Sequence, residues 1–488
     1  MTLKLPQEYE AYYKEWEERI HAFIEFCPSQ YPGTEKDPSA SSGSAADKSM
    51  EGLPFAISDN IALEGSSFSS GSKMLEGLKS PFTATAVKKL LAAGCIPAGK
   101  TNLDEFGMGS SAEDSGIMKT YNPWNTEHAL SGSCGGGAAA VAAGLVPFVL
   151  GSDTGGAIRQ AAASCGIPGL KPGFGAVSRF GLSSFAGSLE SIGVLGDSVS
   201  RCRRVFNVIR GMDPMDQTSH DPQNTMKKEA ASHGRPSEKK SSCIIGVLNP
   251  GSGLPGAFML DEDGRACFEL ARANLAALGY TLKEIELPWL KYAAPAYYTI
   301  AAAEASANLA RFDGIRFGKR PDWADNPDEL MDKARIGGFG DEAKLQVLAG
   351  TYVLRSGLQD RYYMQAQRIR AHIISSLDTL LGKPGDEGSN APAGGASFDA
   401  LLLPVFPART DPPLNQNQED VYTCCANLAG LPSLSFPVSE KGGLPMGVQL
   451  MGRSFTEETL LDIAEDYENA HPFPHPKGYR KFWNQERS

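Results

Sequence analysis

Residues 130–179 constrain this chain more than any other stretch: LSGSCGGGAAAVAAGLVPFVLGSDTGGAIRQAAASCGIPGLKPGFGAVSR. Eight glycines fall between Gly132 and Gly156, in a run otherwise made mostly of Ala, Val, Ser and Leu. Small residues at this density mean either tight helix packing or a backbone that hydrogen-bonds a ligand. Two features favour the second reading. Residues 133–137 form a glycine-serine turn leading into a helix-like run at 138–144, whose first N–H groups point outward. SDTGG at 152–156 follows the apolar run 146–150, which reads as a buried strand. A glycine loop at the end of a buried strand can converge successive N–H groups on one oxygen, the arrangement of an oxyanion hole.

Elsewhere the pattern alternates strands and helices. Residues 9–26 are charged on one face and aromatic on the other and predict a helix, within an N-terminal helical segment 1–30. Residues 53–61 predict a strand turning at Asp59-Asn60, 84–93 a helix stopping at Gly94, and 96–98 a short strand before a loop and helix from Lys100. Residues 201–212 predict an amphipathic helix, and 243–248, 265–278 and 281–287 a strand, a helix and a strand. That β-α-β order implies a right-handed crossover and a parallel pair, placing the chain in the α/β class. A buried Ala-rich helix at 297–311 and apolar strands at 400–404 and 433–437 complete the reading. Polar, low-complexity stretches at 39–49, 222–242 and 383–395 read as loops, with 222–242 a linker insertion in a single domain 1–488.

Charge and cysteine usage exclude several classes. Asp and Glu number 57 against 46 Lys and Arg, so the whole surface offers no cationic field for nucleic acid. No apolar run reaches bilayer length, and the first twenty residues lack a signal-peptide core. Nine scattered cysteines without CxxC pairs or metal-type spacing fit free thiols in a reducing compartment. These observations together set the expectation of a cytoplasmic protein with no membrane partner and no metal.

The 130–179 core resembles the amidase signature, whose pattern GGSSGGS, small-residue helix, GSDTGGSIR and CGxxGLKP is largely present here in order and spacing. LPFAISDNI (53–61), AGKTNLDEFGMGSS (98–111), YNPWN (121–125), YYTIAAAEASANLARFDGIRFG (297–318), NLAGLPSLSFP (427–437) and GVQLMG (447–452) extend the resemblance toward the branch of glutamyl-tRNA(Gln) amidotransferase A subunits. What this resemblance implies is one α/β/α fold with a large mixed central sheet flanked by helices. It also implies B and C partner subunits, Glu-tRNA(Gln) bound through the complex, and glutamine as ammonia donor. The complex would use ATP and magnesium, with no cofactor bound by this chain.

The family's catalytic letters are mostly replaced. Members use a lysine, a serine preceded by a cis peptide bond, and a nucleophilic serine; the matching positions here are Ser58 in ISDN, Ser133, and Ala157 in SDTGGA. Separations of 75 residues from Ser58 to Ser133 and 24 from Ser133 to Ala157 match the family, so misalignment does not explain the loss. Alanine has no lone pair to attack a carbonyl, and an unperturbed serine hydroxyl is no base near neutral pH. Lys100, in GKTN, is the one lysine in a nearby family motif, and the family keeps it as well as its catalytic lysine.

For binding, the resemblance assigns the loop Thr154, Gly155 and Gly156 to the carbonyl, and Asp420 in DVYTCCANLAG to the donor's amino group. Asp420 reads equally as a helix cap. The basic segment that meets the donor's carboxylate corresponds here to Lys344-Leu345-Gln346, without a guanidinium for charge-assisted pairing. Three readings follow: an amidotransferase A subunit with crippled or absent glutaminase; a non-catalytic scaffold for the complex; and an amidase whose displaced nucleophile is Cys134, with a thiolate supported by the next helix.

Overall fold

The computed structural model describes residues 8–27, 50–220, 240–249, 260–382, 398–407 and 420–483. Eleven strands form one sheet: β1 (Phe23–Phe26), β2 (Pro54–Ser58), β3 (Ile96–Thr101), β4 (Phe148–Asp153), β5 (Gly169–Lys171), β6 (Ser191–Gly196), β7 (Ile244–Leu248), β8 (Thr281–Ile285), β9 (Ala400–Pro404), β10 (Ser433–Lys441) and β11 (Leu444–Met451). Their spatial order is β1-β3-β2-β4-β6-β5-β10-β11-β9-β7-β8. The sheet is mixed: β3, β2 and β4 run parallel to one another, as do β9, β7 and β8, while β6, β5, β10 and β11 join those two blocks through antiparallel pairs.

Alternation along the strands sorts side chains onto two faces. Phe55, Ile57, Phe148 and Leu150 enter one core with α2 (Thr85–Ala92) and α5 (Val199–Ile209). Ala56 and Val149 face the opposite way, toward α1 (Tyr9–Ile20), α3 (Gly135–Ala142) and α4 (Ala157–Cys165). On the first face also lie α6 (Glu262–Ala277), α7 (Ala293–Asn308) and α12 (Glu457–Ala470). The remaining helices are α8 (Pro327–Gly338), α9 (Asp341–Val353), α10 (Tyr363–Leu381) and α11 (Cys424–Leu428). Helices thus cover both faces of a mixed sheet, as the resemblance implies.

Several boundaries differ from the sequence expectation. The predicted helix 9–26 ends at Ile20, because His21 turns left-handed (φ 48°), and the aromatic FIEF run pairs with β3 instead. The strand expected at 96–98 continues to Thr101, so Lys100 lies within a buried strand and only a single 3₁₀ turn, Glu105–Gly107, follows. Pro147 delays β4, which runs Phe148–Asp153 rather than 146–150. The signature helix starts at Gly135, three residues earlier than read. The crossover β7-α6-β8 is present and parallel. The segment 39–49, residues 222–239 of the predicted linker and 383–395 lie outside the described residues.

The glycine run turns out to serve close packing. An added Cβ on Gly136 would lie 2.5 Å from the Asn102 carbonyl oxygen, and one on Gly137 would lie 3.0 Å from Val149. The first turn of α3 therefore rests directly on the strands beneath it, the packing alternative of the sequence reading.

Candidate active site

Ser58 closes β2, pairs in register with Thr101 of β3 and is flanked on its other side by β4, where Ile57 pairs with Leu150. Two residues on from Ala56, it faces α3. Above Thr101 lies Gly137, whose added Cβ would be 3.5 Å from Thr101 Oγ1; above Gly151 lies Cys134, with Sγ 3.1 Å from the corresponding position. Ser58, between those strands, sits beneath the Cys134–Gly137 turn, immediately after Ser133. Ser133 is itself 1% exposed, and its Oγ lies 3.8 Å from an added Cβ on Gly107. That places Gly107, in the motif AGKTNLDEFGMGSS, beside Ser133.

Ala157 opens α4 against the same turn: an added Cβ on Gly132 would lie 2.7 Å from the Ala157 carbonyl oxygen. Ser58, Ser133 and Ala157, the positions that the resemblance assigns to catalysis, are therefore gathered around the two glycine turns. The loop between β4 and α4 depends on Gly156, the N-cap of α4, whose φ of 147° suits a residue without a Cβ. Thr423 Oγ1 donates to the Gly155 carbonyl at 2.6 Å, and the Tyr297 hydroxyl packs against Gly155. Asp153 accepts the Ile158 N–H at 3.2 Å, in the first turn of α4, where the amides have no intrahelical acceptor. Thr154, Gly155 and Gly156 thus form a short, backbone-lined bend directly before Ala157.

A buried ion pair fixes this bend. Arg159 donates from Nε to Asp153 Oδ2 at 3.1 Å and from Nη2 to Oδ1 at 3.0 Å, and both side chains are fully buried. Its remaining donors reach the Thr423 carbonyl at 2.9 Å, Gln449 Oε1 at 2.7 Å and Asn427 Oδ1 at 2.7 Å. Burial alone would push the Asp153 carboxyl up, but the guanidinium overrides it and holds the group below the usual carboxylate range. Sequence reading missed this network because its partners lie more than 260 residues apart along the chain.

Asp420 is one helical turn from Ala157 through Gln160, whose Nε2 donates to Asp420 Oδ1 at 2.8 Å; Tyr298 donates to Oδ2 at 2.5 Å. The carboxylate is not a cap: the backbone carbonyl of Asp420 accepts from Thr423 and Cys424, while the side chain turns toward α4 and α7. Burial pushes this carboxyl up to about 6, against the hydrogen bonds that favour its charged form. Gln346 is buried on α9, with Nε2 donating to Glu342 at 2.8 Å. Lys344 pairs with Asp341 at 3.6 Å and Leu345 is exposed. No cation from this segment joins the Asp420 cluster.

Two substitute groups can be judged on geometry. The Cys134 thiol is buried and donates to the Ser152 carbonyl at 3.1 Å, and burial pushes it up to about 12. The expected stabilisation of a thiolate by α3 is absent, because the desolvation of a wholly enclosed sulfur outweighs it. Lys100 pairs with Ile57, so it faces away from Ser58 toward the other core. Its ammonium donates to the Ile61 carbonyl, lies 3.7 Å from Asp59, and is drawn down to about 8 by burial.

Among the described residues no cluster of His, Cys, Asp and Glu is arranged to hold a metal, and no helix is long and apolar enough to cross a membrane.

Comparison with known proteins agrees with this geometry. Residues 7–461 match the family model described as Amidase. The chain is 43% identical over 434 residues to the A subunit of the glutamyl-tRNA(Gln) amidotransferase of Heliobacterium modesticaldum, covering 86% of this chain and 83% of that one. It is 40% identical over 475 residues to the same subunit of Halothermothrix orenii, covering 94% and 92%. The crystal structure of that subunit from Thermotoga maritima superimposes with a TM-score of 0.75 at 32% identity, over 97% of this chain and 94% of that one. With the signature motifs and these likenesses in agreement, the chain belongs to the amidase family.

Proposed function

We propose that this chain is the A subunit of a Glu-tRNA(Gln) amidotransferase and that it has no glutaminase activity of its own. Its place in the family and in the complex draws on likeness to named A subunits along nearly the whole chain. The chemistry rests on one observation: a methyl group stands at Ala157, directly after the Thr154–Gly156 bend that the resemblance assigns to the carbonyl. No oxygen or sulfur is available there to form an acyl-enzyme.

In this reading Ser133 keeps its place in a relay that has lost both ends. Removing one member of such a unit costs nearly as much as removing all, so its retention restores nothing. Asp420, with Tyr298 and Gln160, provides an acceptor for the amino group of glutamine, whereas Gln346 offers no charge to its carboxylate. The chain then serves as a scaffold for B and C subunits, which hold Glu-tRNA(Gln) and use ATP and magnesium. The acidic balance of this chain, a net charge of −11, agrees with tRNA being held elsewhere.

Two measurements test the proposal. The purified chain, alone and with B and C subunits, is incubated with glutamine and ammonia release is followed; release well above the uncatalysed rate refutes the inactive centre. Co-purification with tagged B and C subunits should recover a complex, and recovery of this chain alone removes the scaffold role.

A further inference from the structure

We infer that the outer face of α9 pairs two copies of this chain, antiparallel about a two-fold axis through Leu348. The inference does not depend on whether the chain has glutaminase activity.

Ten of the sixteen large apolar side chains exposed among the described residues fall between Ile315 and Met364, and α9 stands within that stretch. The inner face of α9 is settled. Ala343, Gln346 and Gly350 are buried, and a Cβ added to Gly350 would run into the Ala302 carbonyl of α7. The outer face carries Leu345, Leu348 and Tyr352, which are 57%, 68% and 47% exposed. Tyr362 extends it, with its ring centroid 5.9 Å from that of Tyr352, and the exposed Met364 follows in the first turn of α10.

The area is that of an interface. At roughly 200 Å² per large side chain, these five leave about 500 Å² of apolar surface facing water. The largest apolar patch on a monomer is about 300–600 Å², and patches of that size are often functional. A contact of about 800 Å² per partner, about 60% apolar, calls for the same amount.

Spacing identifies the occupant. Asp341, Leu345, Leu348, Tyr352 and Arg355 succeed one another at intervals of four, three, four and three residues, the repeat of a coiled-coil seam. Arg355 lies just past the C-cap Leu354, and its N–H still bonds to the Tyr352 carbonyl at 3.2 Å, so the line runs on to it. This seam is its own complement when reversed. Set antiparallel to a second copy, Leu348 meets Leu348, Leu345 meets Tyr352, and Asp341 at each end meets Arg355 of the second copy. Both charges are exposed and available: Asp341 has a 3.6 Å contact to Lys344 on its own helix, and Arg355 makes no ion pair among the described residues. Two chains of net charge −11 repel one another, and a contact that brings two carboxylates to two guanidinium groups offsets that repulsion locally.

Sedimentation equilibrium of the purified full chain tests the pairing. Over a hundredfold range of concentration the mean mass should rise reversibly from that of one chain toward twice that value. Leu348→Glu sets two carboxylates against each other on the axis and should weaken the dimer at least tenfold. Asp341→Arg and Arg355→Asp should each weaken it as well, and the double variant Asp341→Arg/Arg355→Asp should restore it, because the exchanged pair again complements itself. All these positions are exposed, and a cooperative thermal transition checks that each variant folds. A chain that stays monomeric throughout, a dimer indifferent to Leu348→Glu, or a double charge variant no tighter than the single variants each overturns the inference.

Discussion

Arg159→Met tests whether the signature bend is held by the Asp153–Arg159 pair. The substitution keeps much of the side chain's length while removing donors to five acceptor atoms, on Asp153, Thr423, Gln449 and Asn427. Asp153 would keep the Ile158 N–H and the Asn427 amide, but its charge would be enclosed with no adjacent guanidinium. Breaking a buried pair from one side typically costs about 3–5 kcal/mol. Of the other acceptors, Gln449 Oε1 keeps Ser433 as a donor, whereas Asn427 Oδ1 is left with no other donor among the described residues, adding about 1–3 kcal/mol. The expected destabilisation is therefore at least about 4 kcal/mol.

Urea denaturation followed by tryptophan fluorescence reads this out as a lowered midpoint of the first transition. The double variant Asp153→Asn/Arg159→Met should recover a large part of the loss, since it removes the stranded charge together with its partner. A single-variant cost under about 1 kcal/mol, or a double variant as unstable as the summed singles, would refute the role assigned to the pair.

Other expectations concern the same region. Ser58→Lys combined with Ala157→Ser should produce measurable ammonia release from glutamine, whereas either change alone should not; activity in one single variant would contradict the shared relay. Cys134 should resist iodoacetamide in the native protein at pH 8 and react after unfolding, as mass spectrometry of the labelled peptides can show. Burial and the nearby Asp114 charge raise Asp104 to about 8 in the folded chain, above its unfolded value. The stability it contributes is present in acid and is lost as pH rises through about 8. Asp104→Asn should accordingly flatten the fall in thermal midpoint between about pH 4 and pH 8, and an unchanged slope there would exclude Asp104 as its source.

The parts of this structure legible in the sequence are those whose signal is local. The turn after Ser58, the helix stop at Gly94, the β-α-β run from Ile244 to Ile285 and the apolar strand Ala400–Pro404 follow from neighbouring residues alone. Ser58, Ser133 and Ala157 could be placed together because the signature's spacing is retained. What remained hidden depends on distant partners. β5 has three residues and β6 carries glycines without alternation, so only their neighbours β4 and β10 define them. The glycine run suggested a ligand-binding backbone, yet Gly136 and Gly137 are small because the sheet and its strand ends lie directly below, and Gly135 because Ala112 and Leu130 press against it. Asp420 could be a cap or a binding group by sequence; only Gln160 and Tyr298, 260 and 122 residues away, distinguish the two.

The reach of Arg159 has a consequence for how the chain matures during synthesis. Thr423, Asn427 and Gln449 leave the ribosome long after Asp153 and Arg159 have been made. Until they emerge, the nascent bend lacks the acceptors that orient its guanidinium, and β5 has no β10 beside it. The most glycine-rich part of the sequence should thus be among the last to become rigid, and nascent chains halted before residue 420 should remain open to protease at Gly155-Gly156.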